Sequence, residues 1–249
     1  TSARMSASAA SRPWNPVYES APQRAIVVTT MKRFTAIAIL SILASSACGA
    51  MDIEAATGRF GVAIVNNSSG IGAASPVVNT LGGGVVVSFL KGFLLNIQPG
   101  LDLYWNNYEW ATDRAVPTET ETGGGNNAFV LGFILDLPVT ATYSFNERIG
   151  VSGSLGTAFL IRLAFAGDDT ADPEVMSANL ALIRSYLWSQ GRWFYPSASL
   201  RMDVYLQQNF TFAFGARGFV PLFNLWSGNP KFFDEGILQI TMAMIVGLE

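Results

Sequence analysis

The sequence contains no histidine, a single cysteine and few charged residues, which make up 13% of the chain. Without histidine, neither a Ser-His-Asp or Cys-His nucleophile nor a His-ligated metal site can be built. The glycine runs at 82–84 and 123–125 are not followed by the Lys-Ser/Thr of a phosphate-binding loop. We therefore predict that the chain is not an enzyme and carries no cofactor and no metal.

Long hydrophobic runs are also absent, although half of the residues are hydrophobic and the mean hydropathy is +0.32. A membrane-spanning helix needs about 20 consecutive apolar residues. A transmembrane β-barrel instead distributes its apolar residues in alternation, so the chain is hydrophobic on average without any long apolar run. The composition therefore favours strands over spanning helices.

The segment 31–50 has the pattern of a secretory signal peptide. Lys32 and Arg33 follow Met31, residues 34–43 are apolar, and small residues fill 45–50. This order of a basic, an apolar and a small-residue region predicts cleavage. We interpret residues 1–30 as an upstream extension or a misplaced start, and residues 51–249 as the barrel domain.

Two interpretations of Cys48 remain open. It lies where a lipoprotein signal places its acylated residue, but ordinary cleavage after Ala47 or Ala50 explains the segment equally well, and we favour cleavage. Residues 1–50 hold five of the 15 bases and one of the 18 acids, so residues 51–249 keep ten bases against 17 acids. A chain with net charge −7 lacks the excess of Lys and Arg that neutralises phosphates, so we expect no nucleic-acid partner.

Strict alternation of apolar with polar or small residues is the main signal in the rest of the chain. In residues 93–105, every second residue from Phe93 to Trp105 is apolar, and the opposite face carries Asn96, Gln98, Gly100, Asp102 and Tyr104. A period of two predicts a strand with one apolar face, here long enough to cross a bilayer when tilted. The pattern occurs in eight segments: 58–65, 81–89, 93–105, 128–143, 149–165, 193–206, 210–220 and 236–248.

The connections between these strands alternate in length. Three are short (90–92, 144–148, 207–209) and four are long (66–80, 106–127, 166–192, 221–235). Aromatic residues lie where strands meet connections: Phe89, Phe93, Tyr143, Phe145, Tyr205 and Phe210 near the short ones, and Trp105, Phe165, Trp193, Phe194 and Phe219 near the long ones. A soluble lipocalin-like barrel would show the same alternation but not two aromatic girdles.

We therefore predict an all-β fold, a transmembrane antiparallel up-and-down β-barrel of about eight strands in the bacterial outer membrane, with short periplasmic turns and long extracellular loops. The sequence Asp172-Pro173-Glu174 resembles a helix start. We interpret 173–190 as a helix within a loop. A strand there would require a tenth strand elsewhere.

The polar faces of the predicted strands define a candidate lumen. An eight-stranded barrel is only wide enough for side chains to fill, and buried charges are costly unless they are paired. Three acids and three bases among these residues suit a paired network, which either plugs the barrel or lines a path for transport. The predicted lumen-lining residues are Asn96, Gln98, Asp102, Asp136, Arg162, Arg201, Asp203, Arg217, Gln239 and Thr241.

Residues 137–145, LPVTATYSF, resemble the fourth strand of the OmpW/OprG family, where a Leu-Pro-Pro-Thr stretch runs into an aromatic-ended strand. The opening Gly58-Arg59-Phe60-Gly61 is similar too. The resemblance implies an eight-stranded barrel that passes small, largely hydrophobic compounds, with a lateral opening into the membrane near Pro138. Because proline lacks the backbone N–H, a local break in strand pairing is reasonable there.

These observations lead to two alternative functions. The first is a small outer-membrane channel for passive diffusion of small or hydrophobic compounds. The second is an OmpA-like closed barrel whose surface-exposed loops serve adhesion or envelope integrity. The expected partners are outer-membrane lipid, the barrel-assembly machinery and, for a channel, a small-molecule solute.

Overall fold

The computed structural model describes residues 52–68, 75–88, 95–111, 113–118, 127–166, 172–207 and 209–248. The predictions made for residues 1–30, for the signal peptide and for Cys48 lie outside the described residues. The same is true of Phe89, of Phe93 and of the short connection 90–92.

Strands dominate the described part of the chain. They are β1 (Asp52–Val65), β2 (Val77–Ser88), β3 (Leu95–Ile97), β4 (Gly100–Ala111), β5 (Arg114–Thr118), β6 (Asn127–Ser144), β7 (Ile149–Ala166), β8 (Phe194–Gln207), β9 (Phe210–Phe219) and β10 (Ile237–Gly247). A helix, α1 (Pro173–Trp188), and two 3-10 turns (Ser189–Gly191 and Leu222–Leu225) lie in the long connections.

The sheet closes on itself into an antiparallel barrel. Strands that are neighbours around the ring pair antiparallel, and β1 pairs with both β2 and β10. β3 and β4 occupy one position, between β2 and β6, and are separated at Gln98 and Pro99. β5 pairs only with the end of β4, in a hairpin that adds no position to the ring. The ring therefore has eight positions, and the predicted all-β up-and-down barrel is confirmed.

The alternation in the sequence becomes two faces of the barrel wall. On β10, Leu238, Ile240 and Met242 are exposed, whereas Gln239 and Thr241, which lie between them, are buried. The same alternation leaves Leu155 on β7 72% exposed. Apolar side chains therefore cover the outside of the wall, whereas the inside holds many of the polar ones. An apolar outer face is the reverse of a soluble barrel, whose outer face is polar and solvated.

The two ends of the barrel differ. The end with the tight connections after β6 and β8 is called here the turn end, and the end that carries β5, α1 and the 3-10 turns is called the loop end. Tyr143 and Phe145 are exposed at the turn end, with ring centroids 5.2 Å apart. Phe159, Trp193 and Phe194 pack together at the loop end.

The prediction that Phe219 belongs to the outer aromatic girdle is wrong, because its side chain is 2% exposed and packs in the barrel core. The reason is the phase of β9. Phe219 is two residues from Arg217, so it shares the inner face, whereas Phe214 lies on the outer face.

The segment after β7 forms the predicted loop helix. Asp172 Oδ1 accepts a hydrogen bond from the backbone N–H of Glu174 at 2.9 Å, and Pro173 begins α1. The buried face of α1, Ile183 and Leu187, packs against apolar residues of the barrel rim. None of the helices in the described residues is long and apolar enough to cross a membrane.

Candidate functional site

The interior of the barrel is the candidate site, and the structure places the predicted lumen residues on its inner face. The ten residues come from six barrel positions: Asn96 and Gln98 on and after β3, Asp102 on β4, Asp136 on β6, Arg162 on β7, Arg201 and Asp203 on β8, Arg217 on β9, and Gln239 and Thr241 on β10. Eight of the ten are buried, and Asn96 and Arg201 are partly exposed. The ten residues do not form one connected set.

A central ion cluster crosses the middle of the barrel. Arg217 Nη1 lies 2.6 Å from Asp102 Oδ2, and Arg217 Nη2 pairs with Asp136 Oδ2. Arg59 Nε lies 2.5 Å from Asp102 Oδ1, and Ser197 Oγ donates to Asp136 Oδ1 at 2.8 Å. Two guanidinium groups and two carboxylates therefore neutralise each other across β1, β4, β6 and β9. Removing one member would leave an uncompensated buried charge.

Glycines make room for this cluster. A Cβ at Gly82 would overlap Asp102 Oδ1, and a Cβ at Gly100 would overlap the guanidinium of Arg59. The glycine run at 82–84, which showed no phosphate-loop pattern in the sequence, thus lies beside the carboxylate of the cluster. Gly82 is the cross-strand neighbour of both Arg59 and Asp102, so the side chains of these two residues can meet only over a residue without a Cβ.

A second cluster lies towards the turn end. Arg201 Nε lies 2.6 Å from Asp203 Oδ1, and Arg201 Nη1 donates to Gln98 Oε1 at 2.9 Å. Gln98 Nε2 donates to Asn96 Oδ1 at 2.8 Å, and Ser152 Oγ donates to Asp203 Oδ2. This cluster is also neutral, with one base and one acid.

A cavity of about 50 Å³ separates the two clusters. Its lining includes Arg59, Arg201 and Arg217 together with Thr140 and Ser154. Because polar groups surround it and its volume exceeds that of one water molecule, it suits a few ordered waters. It is much smaller than a passage for a solute.

The loop half of the interior is filled by apolar and aromatic side chains. Tyr104, Leu160 and Tyr195 are fully buried there. Phe223, from the 3-10 turn after β9, also reaches full burial and packs edge-on against Tyr195, with ring centroids 5.6 Å apart. A loop residue therefore completes the core of the barrel.

Arg162 is not part of either ion cluster. Its Nη2 donates to the backbone oxygens of Leu187 at 3.2 Å and Arg192 at 2.6 Å. Both oxygens belong to the segment that ends α1, so a buried barrel arginine holds the loop segment in place. Arg59, and not the predicted Arg162, is the base that accompanies Arg217 in the central cluster. The sequence pattern already indicated an inward position for Arg59, because this residue shares the phase of Gly61 and Ala63 on β1.

The loop end is held together by its own ion pairs, which we call the cap latch. Arg114 Nη2 lies 2.7 Å from Asp234 Oδ2 and 3.6 Å from Glu235 Oε1. Arg192 Nε lies 3.3 Å from Glu235 Oε1, and the Tyr186 hydroxyl donates to the same oxygen at 2.5 Å. The cap latch thus joins β5, α1 and the segment before β10.

The cap latch shifts the titration of two of its members. Burial acts to raise the pKa of Asp234, but hydrogen bonds from Arg114, from the backbone of Ser68 and from Asn229 outweigh it and hold that pKa below its ordinary value. For Tyr186, burial and then the charge of Glu235 raise the pKa of the phenol above its ordinary value. Both shifts follow from the closed arrangement of the loops.

Pro138, the residue at which a lateral opening is implied, has a buried side chain that faces the interior cavity. Pairing of β6 with β7 is continuous past it, and Pro138 lies opposite Gly156. On the other side, the ladder between β6 and the β3–β4 position is interrupted between Val139 and Asp136, where Gln98 and Pro99 separate the two short strands. The backbone N–H of Gln98 bridges part of this interruption by donating to Pro138 O at 3.0 Å.

Within the described residues, no group of three or more His, Cys, Asp or Glu side chains is placed to hold a metal ion. The interior instead contains neutral ion clusters, hydroxyl groups and an apolar layer. Chemically, this arrangement can fill and rigidify a barrel.

No protein-family model and no curated protein sequence matches the chain. Among solved structures, the chain is similar to Neisserial surface protein A, at 7% identity over 80% of this chain and 99% of that one, with a TM-score of 0.48. It is also similar to the Yersinia pestis outer membrane protein Ail in a phospholipid bilayer nanodisc, at 10% identity over 78% of this chain and 99% of that one, with a TM-score of 0.37. A de novo designed transmembrane β-barrel matches at 7% identity over 79% and 98% of the two chains, with a TM-score of 0.38.

Proposed function

We propose that the chain is an outer-membrane β-barrel with a closed lumen, whose ordered loop end is exposed at the cell surface for adhesion or envelope integrity. Its partners are outer-membrane lipid and, during insertion, the barrel-assembly machinery. It has no enzymatic activity, and its acidic charge gives it no nucleic-acid partner. The observation that carries the proposal is that two layers block the barrel interior, the aromatic packing of the loop half and the central ion cluster below it.

The outer face supports a membrane location. Transfer of an apolar side chain out of water is favourable by about 25 cal/mol per Å² of apolar surface removed from water. Exposed residues such as Leu155, Leu200 and Ile240 belong to a wall on which every strand presents the same kind of face. Lipid chains can cover such a wall without loss of solvation. Within the described residues, closure of the sheet leaves no edge strand in the ring. Cleavage of the segment 31–50 as a signal peptide accords with this location.

The interior supports a closed barrel, because two different obstacles lie in series. At the loop end, Tyr195 and Phe223 fill the lumen with tightly packed rings. Below them, Arg217 joins Asp102 and Asp136 across it. A solute would have to break both the apolar packing and a buried ion cluster, and breaking a buried pair costs about 3–5 kcal/mol.

Planar-bilayer recording tests this proposal. The wild-type barrel is expected to give no conductance steps. A double variant, Arg217→Ala with Phe223→Ala, removes a member of each obstacle and is expected to give them, while heat-modifiable gel mobility verifies that it is folded. Steady conductance from the wild-type protein would contradict a closed lumen.

A small diffusion channel of OmpW/OprG type is the second candidate, and one observation favours it. The cavity of about 50 Å³ is lined by Pro138 at the point where pairing between β6 and the β3–β4 position is interrupted. A lateral path from the turn half of the interior into the membrane would begin there. Uptake of a small hydrophobic dye by proteoliposomes, with Gln98→Pro as a variant that removes the bridging N–H, would support this candidate if uptake rose in the variant.

Orientation is tested separately. Cysteine introduced at Ser185 on α1 is expected to react with an impermeant maleimide on intact cells, whereas cysteine at Glu147 in a turn is expected to react only after lysis. The reverse pattern would overturn the assignment of the loop end to the cell surface.

A further inference from the structure

The loop end contains a cleft that neither the barrel wall nor the interior requires. It has a volume of about 560 Å³, in the range of small-molecule sites. Three separate segments form it: the hairpin of β4 and β5, the C-terminal half of α1 with residues 189–192 that follow it, and residues 227–230. We call it the cap cleft.

Aromatic rings form part of its lining. Trp110 and Tyr186 both line the cap cleft, with ring centroids 6.2 Å apart and planes at 78°. Such rings offer apolar surface and, at one end, a hydrogen-bonding group. Two rings at this angle suit a ligand that has a flat apolar face and a polar edge.

Uncharged polar groups form much of the remaining lining. Ser185 and Ser189 come from the helix side, Gln190 from the turn that follows it, and Ser227 and Asn229 from the opposite side. Hydroxyl and amide side chains both donate and accept hydrogen bonds, so they match a ligand with several hydroxyl groups.

The charges of the cap cleft argue against an anionic ligand. Arg114 and Arg192 line it, but within the described residues each already faces a carboxylate of the cap latch, Asp234 or Glu235. Asp113 adds a negative charge to the lining. Among the described residues that line the cleft, every positive charge therefore has a carboxylate neighbour, which weakens attraction for a phosphate or a sulfate.

The cap cleft is also built before any ligand arrives. Arg192 stacks on the Tyr186 ring at 3.9 Å, and Asn229 Nδ2 donates to Asp234 Oδ2 at 2.7 Å. The cap latch thus fixes residues on both sides of the cleft. A fixed site loses little conformational entropy on binding, which favours affinity from few contacts.

We propose that the cap cleft binds an uncharged saccharide unit, stacked on Trp110 beside the edge of Tyr186 and hydrogen-bonded by Ser185, Gln190 and Asn229. This inference names a ligand class for the surface role proposed above, on which its place at the cell surface rests. The binding itself does not depend on that role, because it uses the folded loop end alone.

Saturation-transfer NMR on the whole barrel tests it, with N-acetylglucosamine and methyl β-glucoside as neutral probes and glucose 6-phosphate as the charged one. The protein is held in lauryldimethylamine oxide, because alkyl-glycoside detergents would themselves compete for the site. Saturation transfer to a neutral probe is expected, with weaker transfer to glucose 6-phosphate. No transfer to either neutral probe, or a preference for the phosphate, would overturn the proposal.

Variants locate the site. Trp110→Ala removes a stacking ring, and Ser185→Trp fills the cleft from an exposed position without touching the cap latch. Each is expected to raise the dissociation constant of the neutral probe at least about tenfold, a loss of about 1.4 kcal/mol. Trp188→Ala is the matched control, since Trp188 is exposed on α1 but does not line the cleft.

If Trp110→Ala fails to fold, Ser185→Trp still decides the result. Binding that persists with Ser185→Trp would place the saccharide elsewhere and refute the cap cleft as its site. Conductance and cell-surface labelling test the proposed function separately. Absence of saccharide binding in a closed, correctly oriented barrel would therefore overturn this inference alone.

Discussion

Arg162 on β7 donates a hydrogen bond to the backbone oxygen of Arg192, 2.6 Å away, from a fully interior position of the barrel. The same guanidinium reaches the oxygen of Leu187 near the end of α1. A cation near a helix C-terminus satisfies carbonyl groups that the helix leaves free. Arg162 therefore couples the loop end to the barrel wall from within, in addition to the apolar packing of α1 on the rim.

Replacing Arg162 by methionine is expected to release the cap, by which we mean α1 and the other loop-end segments that the cap latch joins, without unfolding the barrel. The loss of hydrogen bonds from a charged donor to two carbonyl groups amounts to about 2–4 kcal/mol. Limited proteolysis should then cut the chain within 172–192 faster than in the wild type, while gel mobility of the folded form stays heat-modifiable. Arg148→Met, in an exposed turn, is the control and should leave the cutting rate unchanged. An unchanged rate with Arg162→Met would show that the cap is held by other contacts.

Asp102→Asn is expected to destabilise the barrel strongly. Asp102 faces both Arg59 and Arg217, so its neutralisation leaves two guanidinium groups with one remaining carboxylate. The expected loss in free energy of unfolding is about 3–5 kcal/mol, measured by urea titration in lipid vesicles. Glu147→Gln, a change of the same kind in an exposed turn, should shift the midpoint little. A loss below about 1 kcal/mol for Asp102→Asn would contradict a tightly coupled cluster.

A matched pair of glycine substitutions tests the space beside this cluster. A Cβ at Gly82 would overlap Asp102 Oδ1, whereas a Cβ at Gly58 meets nothing within 4 Å. Gly82→Ala should therefore destabilise the barrel by about 1–3 kcal/mol, and Gly58→Ala should be neutral or slightly stabilising, since alanine restricts the unfolded chain. Equal effects in the two variants would refute the steric argument.

Acid is expected to open the cap. The folded-state pKa of Asp234 lies below its ordinary value. Its contribution to stability is therefore fully present above the ordinary aspartate pKa of about 4 and is lost as pH falls through the lower folded-state value. Proteolysis of the loop end by an acid-active protease should accelerate in that window. Asp234→Asn should make the cap as sensitive to proteolysis at pH 7 as the wild-type cap is in acid, and its rate of proteolysis should no longer depend on this acid transition. An acid transition that survives in this variant would assign it to another group.

Base acts on the other side of the cap latch. The folded-state pKa of Tyr186 is raised, so its contribution is complete below the ordinary tyrosine pKa of about 10 and is lost as pH rises above it. Tyr186→Phe keeps the ring but removes the hydroxyl that donates to Glu235. This variant should lack this part of the alkaline loss of stability, which is measured by thermal unfolding at several pH values between 9 and 12. An undiminished alkaline loss would show that Tyr186 does not cause it.

The period of two predicted the barrel well, because alternation is a local property that each strand carries by itself. It located all eight barrel positions, and the capping pattern at Asp172 and Pro173 located α1. One phase error arose at a strand end, where Phe219 was assigned to the wrong face. Arg59, in the middle of β1, was left out of the lumen although its phase was readable.

The partners within the interior were less predictable, because they depend on which strands meet across the barrel. The sequence placed Arg162 and Arg217 alike among the bases that pair with acids. In the structure, Arg217 reaches Asp102 and Asp136, whereas Arg162 lies one layer higher and meets backbone oxygens of a loop. Loop conformations have no period, so neither the cap latch nor the insertion of Phe223 had a sequence signal.

Closure of the ring between β1 and β10 has a consequence for how the barrel is made. The central cluster takes Arg59 from the first strand and Arg217 from the ninth, so its four charges neutralise one another only when distant parts of the chain have met. A half-inserted intermediate would hold stranded cations inside a hydrocarbon slab, which is strongly unfavourable. Insertion is therefore expected to be cooperative, because the charges of the ionic centre are neutralised only after all the strands that contribute to it have paired in register.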